Sequence, residues 1–235
     1  FFSQFWGFGC YHYHDILSMF GNKLNPRLFI IGFFVGKDSL DDQLAMNIII
    51  EHETNEEYIQ SPIFGIKNRI REFLSTSGIV NLIKNSLWNL SWFRHLFNKL
   101  EIRNDRIAIY DRENNLYQDL LYSTTFSALD KIREWSNNNN IPILMVLIPD
   151  HLQIIDKSIF VQYELNKPQQ ILIKHLKEID IQHIELLHDF TNSEKPQELF
   201  LREDKHWRAE THHFVAGIIY NYWVNHTTFL GNVKT

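Results

Sequence analysis

Two short apolar runs constrain this chain more than any other feature. Residues 27–36 read RLFIIGFFVG directly after Pro26, and residues 141–149 read IPILMVLIP, bounded by two prolines. Both are rich in β-branched residues, and neither alternates polar with apolar. Strands buried on both faces of a parallel sheet have this pattern. A third, weaker candidate is IQHIELL at 181–187. Between the runs the apolar spacing turns helical: Leu121, Ala128, Ile132 and Trp135 share one helix face before the break SNNNN at 136–140. Leu172, Leu176 and Ile179 do the same after Pro168, a favoured first-turn residue. Phe214, Ile218 and Tyr222 mark a closing helix over 209–224. Strand and helix in alternation predict an α/β fold with a parallel sheet.

Residues 60–105 carry no strand pattern. Ile66, Ile70, Phe73 and Leu74 form one apolar stripe, and Ile79, Ile83, Leu87 and Leu90 form another after STSG at 75–78. They predict a helical insertion in a single domain over 1–235, the length of 235 residues allowing one domain or a domain with a subdomain. The Trp and Phe residues with scattered Lys and Arg in this insertion also suit an interfacial or partner-binding helix. Net charge is −5 with no long basic run, which argues against nucleic acid as a partner. The one cysteine, Cys10, excludes an internal disulfide framework and a cysteine-rich zinc module. No run of about 18 apolar residues and no signal-peptide pattern is present.

Chemistry points first to FLREDKHWRAETHHF at 200–214. Asp204 and His206 stand two apart, just ahead of the last helix. A carboxylate so close can fix an imidazole's tautomer and stabilise its protonated form, which a general base needs when it deprotonates a serine hydroxyl. The same pair also suits an ordinary surface loop. His12 and His14 form an H-x-H pair that would serve a metal on a strand, with His206, His212 and His213 as further ligands; no second H-x-H and no H-E-x-x-H accompanies it, and no metal is expected. His212 and His213 suit packing or surface positions. Asp150 follows the strand at 141–149, where it suits a helix cap, a surface position or a substrate contact. Asp38, Asp41 and Asp42 read as a solvated loop at a strand end.

In these residues the chain resembles the SGNH (GDSL-type) hydrolases, in particular the bacterial branch with a D-x-H-W motif that is related to polysaccharide O-acetyltransferases and esterases. The block KHWRAETH opens the last helix, with His206, Trp207, Ala209 and His212 at the family's spacing. A second block matches near the N-terminus, where Gly7 precedes Pro26 by nineteen residues and the strand that follows runs into Gly36 and Asp38. The resemblance covers roughly 5–50 and 105–224. It implies a three-layer α/β/α fold of flavodoxin-like type. It casts Gly7, or the less well placed Gly9, as the backbone donor to an oxyanion, and puts Lys37 where the family has an asparagine donor. Trp207 then packs to hold the catalytic loop or lines a sugar subsite.

The family carries its serine in a Gly-Asp-Ser block on a first strand ahead of the glycine turn, and no Gly-Asp-Ser occurs in these 235 residues. The expectation is that the first strand and its nucleophile lie upstream. The function implied is that of a serine esterase or acyltransferase acting on O-acyl groups, O-acetyl above all, of a carbohydrate or cell-envelope glycan or of a small ester, with no cofactor. His206 is then the base, Asp204 orients it, and Gly7 and Lys37 form the oxyanion hole. The alternative is a truncated or degenerate, non-catalytic member of the fold that binds glycan or a partner. Family analogy points to the bacterial envelope or periplasm, with membrane association only through a segment ahead of residue 1.

Overall fold

The computed structural model describes residues 9–43, 109–112, 116–155, 163–201 and 206–226, all within one compact unit. The helical insertion expected over 60–105 lies outside the described residues, as do Gly7 and Asp204.

Three strands form where apolar runs predict them: β1 (Phe29–Phe34), β2 (Ile143–Ile148) and β3 (Gln182–Glu185). They make a parallel sheet in the order β1-β2-β3. β1 and β2 pair from Phe29↔Ile143 to Phe34↔Ile148, and β2 and β3 from Leu144↔Gln182 to Leu147↔Glu185. Parallel neighbours need long crossovers, and the helices supply them. The chain is therefore α/β.

The central strand β2 is buried along Ile143–Leu147, as an unalternating apolar run should be. The expectation of burial on both faces fails for β1. Ile31 and Phe33 are buried, but Ile30 is 46% exposed and Gly32 is also exposed. Among the described residues β1 is an edge strand, and its alternate residues face opposite ways. The side bearing Phe29 meets a helix, with the Trp135 ring edge-on to Phe29 at 5.6 Å. Ile30, on the opposite side, stays open.

The first helix, α1 (Cys10–Ile16), runs on through a π-helical turn at Leu17–Gly21 and a last helical turn at Asn22–Leu24. It stops at Asn25, in the left-handed conformation at φ 43°, with Pro26 behind it. α2 (Leu116–Asn139) buries Leu121, Ala128, Leu129 and Ile132. It does not break at Ser136 but absorbs most of the asparagine run. Asn139 Nδ2 donates to the Trp135 carbonyl at 2.7 Å, and the helix ends only at Asn140, where φ is 52°. Asparagine tolerates that conformation better than other side chains.

α3 (Leu152–Ile155) and α4 (Lys167–Glu178) lead from β2 to β3, and Pro168 sits in the first turn of α4 as its fixed φ favours. After β3 come α5 (Leu187–Thr191), a 3-10 turn at Pro196–Leu199 and α6 (Ala209–Asn225). Leu144, Val146 and Ile184 from the sheet pack with Leu186, Phe190, Phe200 and Val215 beneath α5 and α6. Phe190 is the centre of this cluster: its ring meets Trp207 at 5.5 Å and Phe200 and Phe214 at 6.0 Å. Among the described residues no helix is long and apolar enough to cross a membrane.

Phe190→Ala empties the space between those three rings. A loss of about 3–5 kcal/mol of unfolding free energy is expected, the usual cost of removing a buried phenyl group, to be measured by urea denaturation.

Candidate functional site

The candidate polar groups gather at the carboxyl ends of the strands. At the end of β1 the chain turns through Val35, Gly36 and Lys37, and residues 38–43 are helical. The Lys37 carbonyl accepts from the amides of Leu40 at 2.8 Å and Asp41 at 3.0 Å, so the helix begins there. The expectation of a solvated loop at Asp38, Asp41 and Asp42 is wrong: they are 5%, 7% and 0% exposed. Hydrogen bonding explains the burial. Asp38 Oδ2 accepts from the Phe34 amide at 2.8 Å and from the Tyr13 hydroxyl at 3.0 Å. Asp42 Oδ1 accepts from the Tyr11 amide at 3.0 Å. This satisfies one of the orphan donors at the start of α1, whose N-cap residue Gly9 has no side chain to offer. A methyl group on Gly9 would overlap the Asp42 carboxylate and the Asp38 carbonyl, so only glycine lets α1 start this close to the strand end.

Burial sets the charge state of these acids. It pushes Asp42 up to about 7, against the lowering effect of the Tyr11 amide. It also raises Asp38 well above the usual carboxylate range, despite bonds from Phe34 and Tyr13. Asp41 is raised by burial too, with Lys37 opposing the rise. Lys37, the expected oxyanion donor, stands on this rim with half of its side chain exposed, and its Nζ lies 3.5 Å from Asp41 Oδ2.

At the end of β2, Asp150 is fully buried and caps α3, accepting from the Leu152 amide at 3.1 Å. The helix-cap reading of Asp150 holds and the surface reading does not. Its Oδ1 also lies 2.8 Å from Nδ1 of His151. A methyl group on Gly36 would overlap the Asp150 carboxylate, so the ends of β1 and β2 meet there. The Asp150 amide donates to Gln153 Oε1 at 2.8 Å, and Gln153 bonds Gln169 on α4 at 2.9 Å.

The third component is the lead-in to α6. Phe200 bridges Trp207 in antiparallel fashion, and the Leu201 amide donates to the His206 carbonyl at 2.7 Å. Thr211 Oγ1 donates to the Leu199 carbonyl at 2.6 Å and closes the loop. The Phe200 ring lies edge-on to His151, 6.4 Å between ring centres, so the 200–207 pairing sits beside the end of β2. His206 is exposed on it, and Trp207 packs between Phe190 and the His212 ring. Because Asp204 and Gly7 lie outside the described residues, their geometry with His206 is not part of this picture. Nothing in the sequence marks His151 beyond its place after Pro149-Asp150 at a strand end.

His12 and His14 both fall on α1, where side chains two apart diverge. Among the described residues no three His, Cys, Asp or Glu side chains are grouped to hold a metal ion. A polar cleft of about 410 Å³ opens at the opposite rim, between Asn22, Asn25, Arg27, Asn139 and Asn140 at the amino ends of β1 and β2. Comparison with protein-family models finds no match, and none is found among curated proteins or solved structures.

Two outcomes follow from the acid cluster and the glycine contact. Asp42 rises in the fold from about 3.9 when unfolded, so between that value and its folded one the native state holds the extra proton. Its contribution to stability is present at low pH and is lost as pH climbs towards 7. Asp42→Asn should therefore flatten the fall in melting temperature between pH 5 and pH 7, as followed by circular dichroism. Gly36→Ala should destabilise the fold at every pH, because the Asp150 carboxylate has to move.

Proposed function

We propose that this chain is a three-layer α/β/α domain of SGNH-hydrolase type that works in ester chemistry, hydrolysing or transferring an O-acyl group. The favoured group is O-acetyl on a carbohydrate or cell-envelope glycan, and the location by analogy is the bacterial envelope. One observation carries the reading. Lys37 after β1, Asp150 and His151 after β2, and the segment of His206 ahead of α6 converge at the carboxyl ends of one parallel sheet. That rim is where open α/β sheets hold their ligands.

In this account His206 takes the proton from a serine hydroxyl and returns it to the leaving alcohol, while Asp204 orients its ring. The serine belongs to a Gly-Asp-Ser block ahead of Gly7. The Gly7 amide and Lys37 face the oxyanion, and Lys37 must exchange its contact with Asp41 to do so. Loss of one oxyanion donor costs about 10²–10³ in rate, so lysine in place of a short amide predicts slow turnover.

A second reading, a non-catalytic member of the fold that binds glycan or a partner, is favoured by the strand pairing. A flavodoxin-like sheet of order 2-1-3-4-5 sets its first strand between the second and third. If the serine-bearing strand is the first of such an order, β1 and β2 would be the strands on either side of it, yet they pair directly over six residues. A serine-bearing strand would have to separate them or join at an outer edge.

The test is hydrolysis of p-nitrophenyl acetate by the full protein with its upstream sequence. His206→Ala should lower kcat/KM by about 10²–10⁴, the usual worth of general-base catalysis. Unchanged turnover would refute His206 as the base, and a wild type no faster than buffer would leave the binding reading.

A further inference from the structure

We propose that His151 is a second acid–base residue of the rim, facing substrate and held for that task by Asp150. The proposal rests on the ester-chemistry reading and adds to it a residue that the motif does not include.

The geometry singles out His151 from the other histidines that meet an aspartate. His175 Nε2 lies 3.0 Å from Asp130, but that carboxylate is 56% exposed and the ring stacks on Phe126 at 4.0 Å, which ties α4 to α2. His14 lies 3.5 Å from Asp15, which is 70% exposed. His151 alone among these pairs with a fully buried carboxylate, at 2.8 Å, and that carboxylate is itself fixed by the Leu152 amide and the close approach of Gly36. A carboxylate on Nδ1 makes that nitrogen the donor, so the neutral ring presents a lone pair at Nε2. Among the described residues no hydrogen-bond partner holds Nε2, and the side chain is 19% exposed, enough for a small hydroxyl to reach it. The ring stands at the carboxyl end of the central strand, against Phe200, whose strand partner Trp207 adjoins His206.

Acyl transfer handles two hydroxyls, one leaving and one arriving. His206 serves the first in the account above; His151 is placed to serve the second. Nε2 takes the proton of the incoming water or sugar hydroxyl as its oxygen bonds to the acyl carbonyl carbon. The bond from that carbon to the departing oxygen then breaks, and the proton leaves with that oxygen. No further reactant is required.

The experiment is the burst and steady-state kinetics of p-nitrophenyl acetate hydrolysis by the full protein, its His151→Gln and Asp150→Asn variants, and His206→Gln. His151→Gln should lower kcat by about 10²-fold or more and leave the initial burst of p-nitrophenolate and kcat/KM unchanged, because those report acylation, which His206 serves. Asp150→Asn removes the acceptor that fixes the Nδ1 tautomer, so it should lower kcat in the same way and spare the burst, a split that simple loosening of the fold would not give. Turnover lost in His206→Gln but an unchanged kcat in His151→Gln overturns this proposal and leaves the ester reading standing. A wild type without turnover above buffer overturns both.

Discussion

A carboxylate removed from water needs hydrogen bonds, and three at the carboxyl rim of this sheet accept them, through Oδ1 alone in Asp42, whose buried Oδ2 has no partner among the described residues. Asp42 is met by the first turn of α1, Asp38 by the end of β1 and by Tyr13, and Asp150 by α3 and His151. Each therefore ties a separate stretch of chain to the ends of the strands. Gly9 and Gly36 permit the close approaches that this requires. Removing one of these acids would leave orphaned donors in a dry place, so polar contacts hold the rim alongside the apolar packing of Phe190 and its rings.

The same contacts explain how much of the molecule could be read from its sequence. The strands were legible because Pro26, Pro142 and Pro149 bound runs with no polar interruption, and the helices because Leu172, Leu176, Ile132 and Trp135 recur at helical spacing. The edge position of β1 was not legible, since RLFIIGFFVG has the same apolar pattern whether one face or two are covered. Nor was the burial of Asp38, Asp41 and Asp42. Three acids in five residues look solvated until Tyr13 and the Tyr11 amide, some thirty residues earlier, are folded onto them.

The candidate site divides in the same way. Local spacing picked out Asp204 and His206, and resemblance picked out Gly7 and Lys37, but only folding sets His151 on one rim with His206 and Lys37. Asp150 and His151 are ordinary neighbours in sequence. Their distinction comes from Gly36 pressing on the carboxylate and from Phe200 reaching the ring. Direct pairing of β1 with β2 weighs the other way, because under the proposed fold a serine-bearing strand would have to join at an outer edge. The two proposed readings, ester chemistry and simple binding, differ in whether a nucleophile reaches this rim.

The central claim is that substrate meets this sheet at its carboxyl ends. Titrating the isotopically labelled protein with glucose pentaacetate and following its nuclear magnetic resonance signals tests that most directly. The account predicts that the imidazole nitrogens of His151 and His206 and the amides of residues 35–38 shift together. Shifts confined to Asn22, Asn25, Asn139 and Asn140, in the cleft at the opposite rim, would contradict it.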